Sequence, residues 1–144
     1  MTLKVKIIIG SDHAGFRLKN AVVKHLTESG IPVEDAGCDS EDSCDYPAYA
    51  KSVARKVVKG HGLGILICGT GIGMSIAANK IKGIRAALSF NEFTARMSRR
   101  HNNANILVLG SRVVGEGTAL SIVDAWLNAD FEGGRHQKRI EMFE

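Results

Sequence analysis

The chain has few of the features that would place it in a membrane, a fibre or an oxidising compartment. Only 2 of its 144 residues are proline, and no Gly-X-Y triplet repeats, which excludes a collagen-like or proline-rich chain. There are three cysteines, at the uneven positions 38, 44 and 68. An odd, scattered set does not make a disulfide framework, so a reducing cytoplasm is the expected location. The longest apolar runs, Ile7–Ile9 and Leu63–Cys68, fall far short of the ~20 residues a membrane helix needs. Residues 1–6 lead straight into the first of these runs, leaving no room for a signal peptide. Aromatics are 6% of the chain, too few to alternate with basic side chains as a single-strand nucleic-acid binder requires.

What remains is an ordinary globular composition, 44% hydrophobic and 24% charged, at a length suited to one domain over residues 1–144. Glycine is in excess, 16 residues or about 11% against the usual ~7%, which implies many turns and close backbone approaches. The net charge is +4. Its basic residues mostly lie along helical segments as a solvated face, apart from two clusters: Arg96, Arg99, Arg100, His101, and Arg135, His136, Lys138, Arg139. A small anionic substrate fits these better than nucleic acid or a membrane surface.

Short aliphatic runs alternate with amphipathic stretches. Strands are expected at 4–10, 32–36, 63–68, 84–89 and 105–109, and helices at 16–29, 46–59, 73–81, 91–101 and 116–128. An arm or short helix follows at 134–144. This alternation predicts a single doubly wound, Rossmann-like α/β domain: a five-stranded parallel sheet of order 2-1-3-4-5 with helices on both faces. Ligands of such sheets bind beyond the carboxyl ends of the strands where the order reverses, here between the first and third. The loops that leave those strands, Gly10-Ser11-Asp12-His13-Ala14-Gly15 and Cys68-Gly69-Thr70-Gly71-Ile72-Gly73, are also the most chemically loaded in the chain.

Alternating glycines in the second loop can expose successive N–H groups as an anion nest, or can simply allow a tight strand-to-helix turn. Met74 stands where a dinucleotide fingerprint needs its third glycine and where a thiol phosphatase loop needs arginine; no Lys-Ser/Thr pair completes a P-loop. Cys68 is either a small core hydrophobe or, at a helix amino end, a thiol favoured as thiolate, able to act as nucleophile or proton acceptor. Cys38 and Cys44 lie in an acidic loop whose carboxylates would disfavour their thiolates, and no role is assigned to them. Asp12-His13 reads as a helix cap with a solvent-facing histidine, or as a sugar-hydroxyl acceptor with a phosphate donor. Tyr46 is open between packing and function. His101-Asn102-Asn103 closes the fourth helix, where histidine suits the dipole and asparagine the cap. That place is at the opposite end of the sheet from the crevice, so a catalytic His101 would act in a second subunit's site. Arg135 and Arg139, spaced i, i+4, share a face if the tail is helical, which suits either solvent or a phosphate.

Gly10–Gly15, Asp45-Tyr46-Pro47, Cys68–Gly73 with Ala77–Lys80, His101-Asn102, Gly110–Arg112 and Gly133–Arg139, in this order over the whole chain, resemble the ribose-5-phosphate isomerase B family, which also holds allose-6-phosphate and galactose-6-phosphate isomerases. The resemblance implies an aldose–ketose isomerase of phosphorylated sugars that needs no metal or other cofactor and works through an enediolate. It assigns Cys68 as the base, Thr70 and His101 to ring opening, and Asp12 to sugar hydroxyls. His13, Arg112, Arg135 and Arg139 would hold the phosphate, Tyr46 and Asn102 would line the pocket, and the amides of Gly69, Gly71, Ile72 and Gly73 would receive the oxyanion. Some relatives carry a glutamate where Met74 stands; this chain has the thiol instead. A homodimer or tetramer with sites built from two subunits is implied as well. Rival readings are a six-carbon sugar-phosphate isomerase, a phosphosugar-binding module without chemistry, and a basic nucleic-acid-associated protein.

Overall fold

In the computed structural model, residues 5–144 are described; the part of the first expected strand at Lys4, and the residues before it, lie outside them. The side-chain alternation along three central strands decides the architecture. In β1 (Ile7–Ser11), β3 (Leu63–Cys68) and β5 (Ile106–Gly110), odd-numbered Ile7, Ile9, Ile65, Ile67, Leu107 and Leu109 enter one apolar cluster. Even-numbered Ile8, Leu66, Cys68, Ile106 and Val108 enter another. Strands buried on both faces need helices on both. The first cluster is completed by α1 (Phe16–Glu28), α4 (Glu92–Asn102) and α5 (Glu116–Leu127), with Trp126 fully buried. The second is completed by α2 (Tyr46–Val58) and α3 (Ile72–Asn79).

The sheet is parallel throughout, in the order β2-β1-β3-β5-β4, with β2 at Val33–Asp35 and β4 at Ala86–Leu88. The expected class and the reversal between β1 and β3 stand, but the last two strands are exchanged relative to the expected 2-1-3-4-5. Burial gives the reason. All five residues of β5 are buried, so it belongs inside the sheet, whereas the three of β4 are only half-buried and suit an edge. Both edge strands are shorter than the sequence pattern suggested.

Helix boundaries follow local chemistry. Asn91 caps α4, its side chain accepting from the Thr94 N–H at 2.8 Å. Asn103 ends that helix in the left-handed region at φ 47°. Arg99, one of the basic cluster, turns inward. Its Nη1 donates to the Ala104 carbonyl at 2.6 Å and its guanidinium lies 5.6 Å from the Trp126 ring centre. Burial pulls its pKa below the ordinary arginine value. Lys19 is buried too, paired with Asp35 of β2 at 2.6 Å. The tail forms α6 (Arg135–Glu141) and packs on α4. Among the described residues no helix is long and apolar enough to cross a membrane.

Candidate active site

Three loops meet at the carboxyl ends of β1, β3 and β5. The Asp12 N–H donates to the Ile67 carbonyl at 3.2 Å, the Ser111 N–H to Cys68 O at 2.9 Å, and the Arg112 N–H to Gly69 O at 2.9 Å. The Ser111 hydroxyl closes the ring by donating to Ala14 O at 2.9 Å. Loops laced by backbone bonds hold their side chains with little freedom to drift.

Cys68 ends β3 nearly buried, and the Gly71 N–H donates to its Sγ at 3.2 Å. Gly71 reaches this position at φ 83°, a conformation that glycine adopts without strain. The N–H is one of those at the start of α3 that have no partner within the helix, and the sulfur accepts it. Thr70 is exposed, its hydroxyl accepting from the Ile72 N–H at 3.1 Å. The Tyr46 ring lies against Gly73: a Cβ added there would fall 2.6 Å from Tyr46 Cζ. The Arg112 guanidinium lies beside Gly69.

Asp12 is buried and fastens its own loop, Oδ1 accepting from the Gly15 N–H at 3.1 Å. It does not cap α1, whose N-cap is Gly15. His13 accepts the Cys44 N–H on Nδ1 at 3.2 Å, which places the proton of the neutral ring on Nε2. That nitrogen is thereby a donor, suited to an anionic oxygen. Cys44 thus holds the His13 ring, chiefly through its backbone N–H, with its Sγ 4.0 Å from the same nitrogen. Burial, with the nearby Cys38, raises the Cys44 thiol pKa even though the His13 contact works against it, so the thiol stays protonated; the neighbouring carboxylates are not the cause. Cys38 is buried and donates to Ser40 O at 3.2 Å.

The structure therefore gathers Asp12, His13, Tyr46, Cys68–Gly73 and Arg112 into one crevice. His101, Asn102, Arg135 and Arg139 are elsewhere in the same chain. The end of α4 precedes β5 and so lies at the far end of the parallel sheet. Asn102 there lines a cavity of about 490 Å³ with Arg85 and Phe143. His101 stacks on His136 of α6, ring centres 4.2 Å apart and planes 9° apart. Glu132 faces both, with Oε1 at 3.9 Å from His101 Nε2 and 3.4 Å from His136 Nε2, while Arg100 Nε holds Oε2 at 2.6 Å. Desolvation opposes the Glu132 carboxylate, but Arg100 and the two histidines outweigh it and lower its pKa. Glu132 and His136 are not among the site residues expected from the sequence. Their i, i+4 spacing was visible, but Gly133-Gly134 between them broke the helical pattern. Arg135 and Arg139 are exposed on α6, and because the tail is helical their i, i+4 spacing puts them on one face. A larger cavity, about 740 Å³, lies between α4 and α5 and is lined by Glu92, Arg96, Arg100, Asp124 and Glu132; none of the site residues expected from the sequence lines it.

Comparison with known proteins closes the matter of kinship. The family profile described as Ribose/Galactose Isomerase matches residues 7–143, nearly the whole chain. The chain belongs to the ribose/galactose isomerase family. It is 55% identical over 137 residues to a protein of Escherichia coli K12 named ribose-5-phosphate isomerase B, covering 94% of this chain and 92% of that one. Its fold superposes on ribose-5-phosphate isomerase B of Clostridium thermocellum with a TM-score of 0.94 and 54% identity, covering 95% and 93% of the two chains. A Mycoplasma genitalium ribose-5-phosphate isomerase B solved with bound ribulose 5-phosphate gives 0.92 at 48% identity, covering 95% and 92%. These solved isomerases thus share the fold of this chain.

Proposed function

We propose that the protein interconverts ribose 5-phosphate and ribulose 5-phosphate, a step of the non-oxidative pentose phosphate pathway, using Cys68 as the base. The observation that carries this reading is the Cys68 thiol held at 3.2 Å by the Gly71 N–H inside the three-loop crevice; the names and the bound ketose of the relatives supply the substrate.

His101 gives a proton to the ring oxygen while Thr70 assists removal of the anomeric hydroxyl proton, and the furanose opens. The Cys68 thiolate takes the proton from C2, and the electron pair moves into the C1–C2 bond, leaving negative charge on O1. The amides of Gly69, Gly71, Ile72 and Gly73 receive that oxyanion; one such donor typically supplies ~10²–10³ in rate. The O2 proton passes to O1, Cys68 returns its proton to C1, and the ketose results. Asp12 accepts from sugar hydroxyls, His13, Arg112, Arg135 and Arg139 hold the phosphate, and Tyr46 and Asn102 shape the pocket.

His101 and its neighbours reach this chemistry from a second subunit, so the working unit is a homodimer with composite sites, or a tetramer of such dimers. In support, Ile72 and Ile76 of α3 and, from the other face of the sheet, Phe93 of α4 are exposed at 52%, 58% and 64%, apolar side chains that a partner would cover. The three free cysteines suit the cytoplasm.

The test is ketose formation from ribose 5-phosphate by chelator-treated protein, with allose 6-phosphate and galactose 6-phosphate beside it and Cys68→Ala as the blank. Activity on the pentose phosphate that the variant loses supports the reading. Activity on a hexose phosphate alone keeps the mechanism and changes the substrate. Binding without turnover on any sugar leaves a phosphosugar-binding module.

A further inference from the structure

The end of α4 and the start of α6 bring three nitrogen and oxygen donors together outside the crevice. His101 lies in the last turn of α4, His136 in the first turn of α6, and Glu132 just before it. Two features hold them. The Glu132 N–H donates to the Arg100 carbonyl at 3.0 Å, and the Arg100 guanidinium takes Oε2, which leaves Oε1 turned to the two imidazoles. His136 is nearly buried and stacked on His101.

One ligand atom from each of the three residues lies within 4.8 Å of the others. Tetrahedral bonds of ~2.0–2.1 Å set ligand atoms roughly 3.3 Å apart. The His136–Glu132 pair, at 3.4 Å, is already at that spacing, and the His101–Glu132 pair, at 3.9 Å, is near it. Only the two imidazoles must reorient, from parallel stacking to convergence, and the half-exposed His101 has the freedom to do so. Two histidines and a carboxylate are a donor set for Zn2+ and its neighbours, not for Mg2+ or Ca2+.

We propose that His101, Glu132 and His136 form an inhibitory binding site for a borderline transition-metal ion such as Zn2+, which withdraws His101 from ring opening. The ion is not a cofactor of the isomerisation, whose base and oxyanion donors lie in the crevice. The inhibitory consequence rests on the ring-opening part given to His101 above; the binding itself does not. The imidazole nitrogen that binds the ion carries no proton to give the ring oxygen, and the bound ring is turned toward Glu132, so the occupied enzyme no longer opens the furanose.

Binding is measured by calorimetry with Zn2+ alone and by Co2+ absorption spectroscopy, on chelator-treated wild type, Glu132→Gln, His136→Gln and Cys68→Ala. One ion per chain is expected, weakened at least about tenfold by either of the first two substitutions and unchanged in Cys68→Ala. The Co2+ spectrum should lack a thiolate-to-metal charge-transfer band. Zn2+ should inhibit turnover of ribose 5-phosphate in the wild type, at higher concentration in Glu132→Gln. No saturable binding by the wild type, equal binding by all four proteins, or a charge-transfer band that disappears in Cys68→Ala would each overturn the proposal. Metal binding as described in a protein without isomerase activity counts against the isomerase reading alone.

Discussion

The Gly71 N–H points at the Cys68 sulfur from 3.2 Å, across the turn that joins β3 to α3. A thiol this buried is ordinarily a packing residue, and Cys68 does belong to the apolar cluster beneath α2 and α3. The same side chain therefore faces the core with its carbon and the helix amino end with its sulfur. Removing the sulfur tests the second part while hardly touching the first.

Cys68→Ala should lower turnover of ribose 5-phosphate by about 10²–10⁴, the usual contribution of a positioned base, while far-UV circular dichroism and substrate binding stay as in the wild type. A variant that keeps more than about a tenth of the activity would show that another group moves the proton. Cys68→Ser should be nearly as slow, because a hydroxyl is far less ready to act as the anion.

Gly73→Ala addresses the roof of the crevice. The added Cβ would meet the Tyr46 ring at 2.6–2.8 Å, so the ring must move or the turn must open. Overpacking of this kind costs about 1–3 kcal/mol. The expected result is lower stability in urea unfolding and a raised KM. Combining it with Tyr46→Ala should recover much of the stability, since the obstructing ring is gone. Additive losses in the double variant would mean that the backbone of α3, not the ring, is what the methyl disturbs.

Much of this site could be read from residue types because its loops follow the strands that the aliphatic runs announce. The strands Ile7–Ser11 and Leu63–Cys68 run where those aliphatic stretches put them, which fixes the position in the fold of Asp12, His13 and Cys68. The exchange of β4 and β5 was not legible, since Ile84–Ser89 and Asn105–Leu109 both look like strands and only burial shows that one of them is an edge. Arg99 and Lys19 looked like solvated charge, yet one lies against Trp126 and the other against Asp35. Long side chains can turn either way from a helix, and helical spacing does not record which. The histidine–glutamate cluster was hidden for another reason: it joins two elements through a glycine pair that has no periodicity to read.

Acid should weaken the β2 edge in a defined window. Hydrogen bonds from Lys56 and Lys6 hold the Glu34 carboxyl at about 2, against 4.5 for the free group. A depressed carboxyl contributes stability that is present above 4.5 and is lost as pH falls toward 2. Glu34→Gln should therefore be less stable than the wild type at neutral pH, with the gap narrowing steadily below about pH 5. The difference will be smaller than the shift alone implies, because Glu34 is part-exposed and solvent screens the pair. A gap that stays constant down to acid unfolding would assign the effect to packing.

The separation of His101 from Cys68 within one chain allows a complementation test. Cys68→Ala and His101→Ala should each be impaired on ribose 5-phosphate, but for different reasons: the first at every proton transfer at carbon, the second only where a ring must be opened. His101→Ala should accordingly act on the acyclic ribulose 5-phosphate at close to the wild-type rate. If the sites are composite, unfolding and refolding the two variants together produces hybrid dimers in which one site has both defects and the other has none. Random pairing makes half the dimers hybrid, so activity on ribose 5-phosphate should recover to roughly a quarter of the wild-type value. If His101 served the crevice of its own chain, every site in the mixture would carry one defect and mixing would restore nothing. Recovery on refolding, with none when the folded variants are simply combined, would tie the site to the subunit interface.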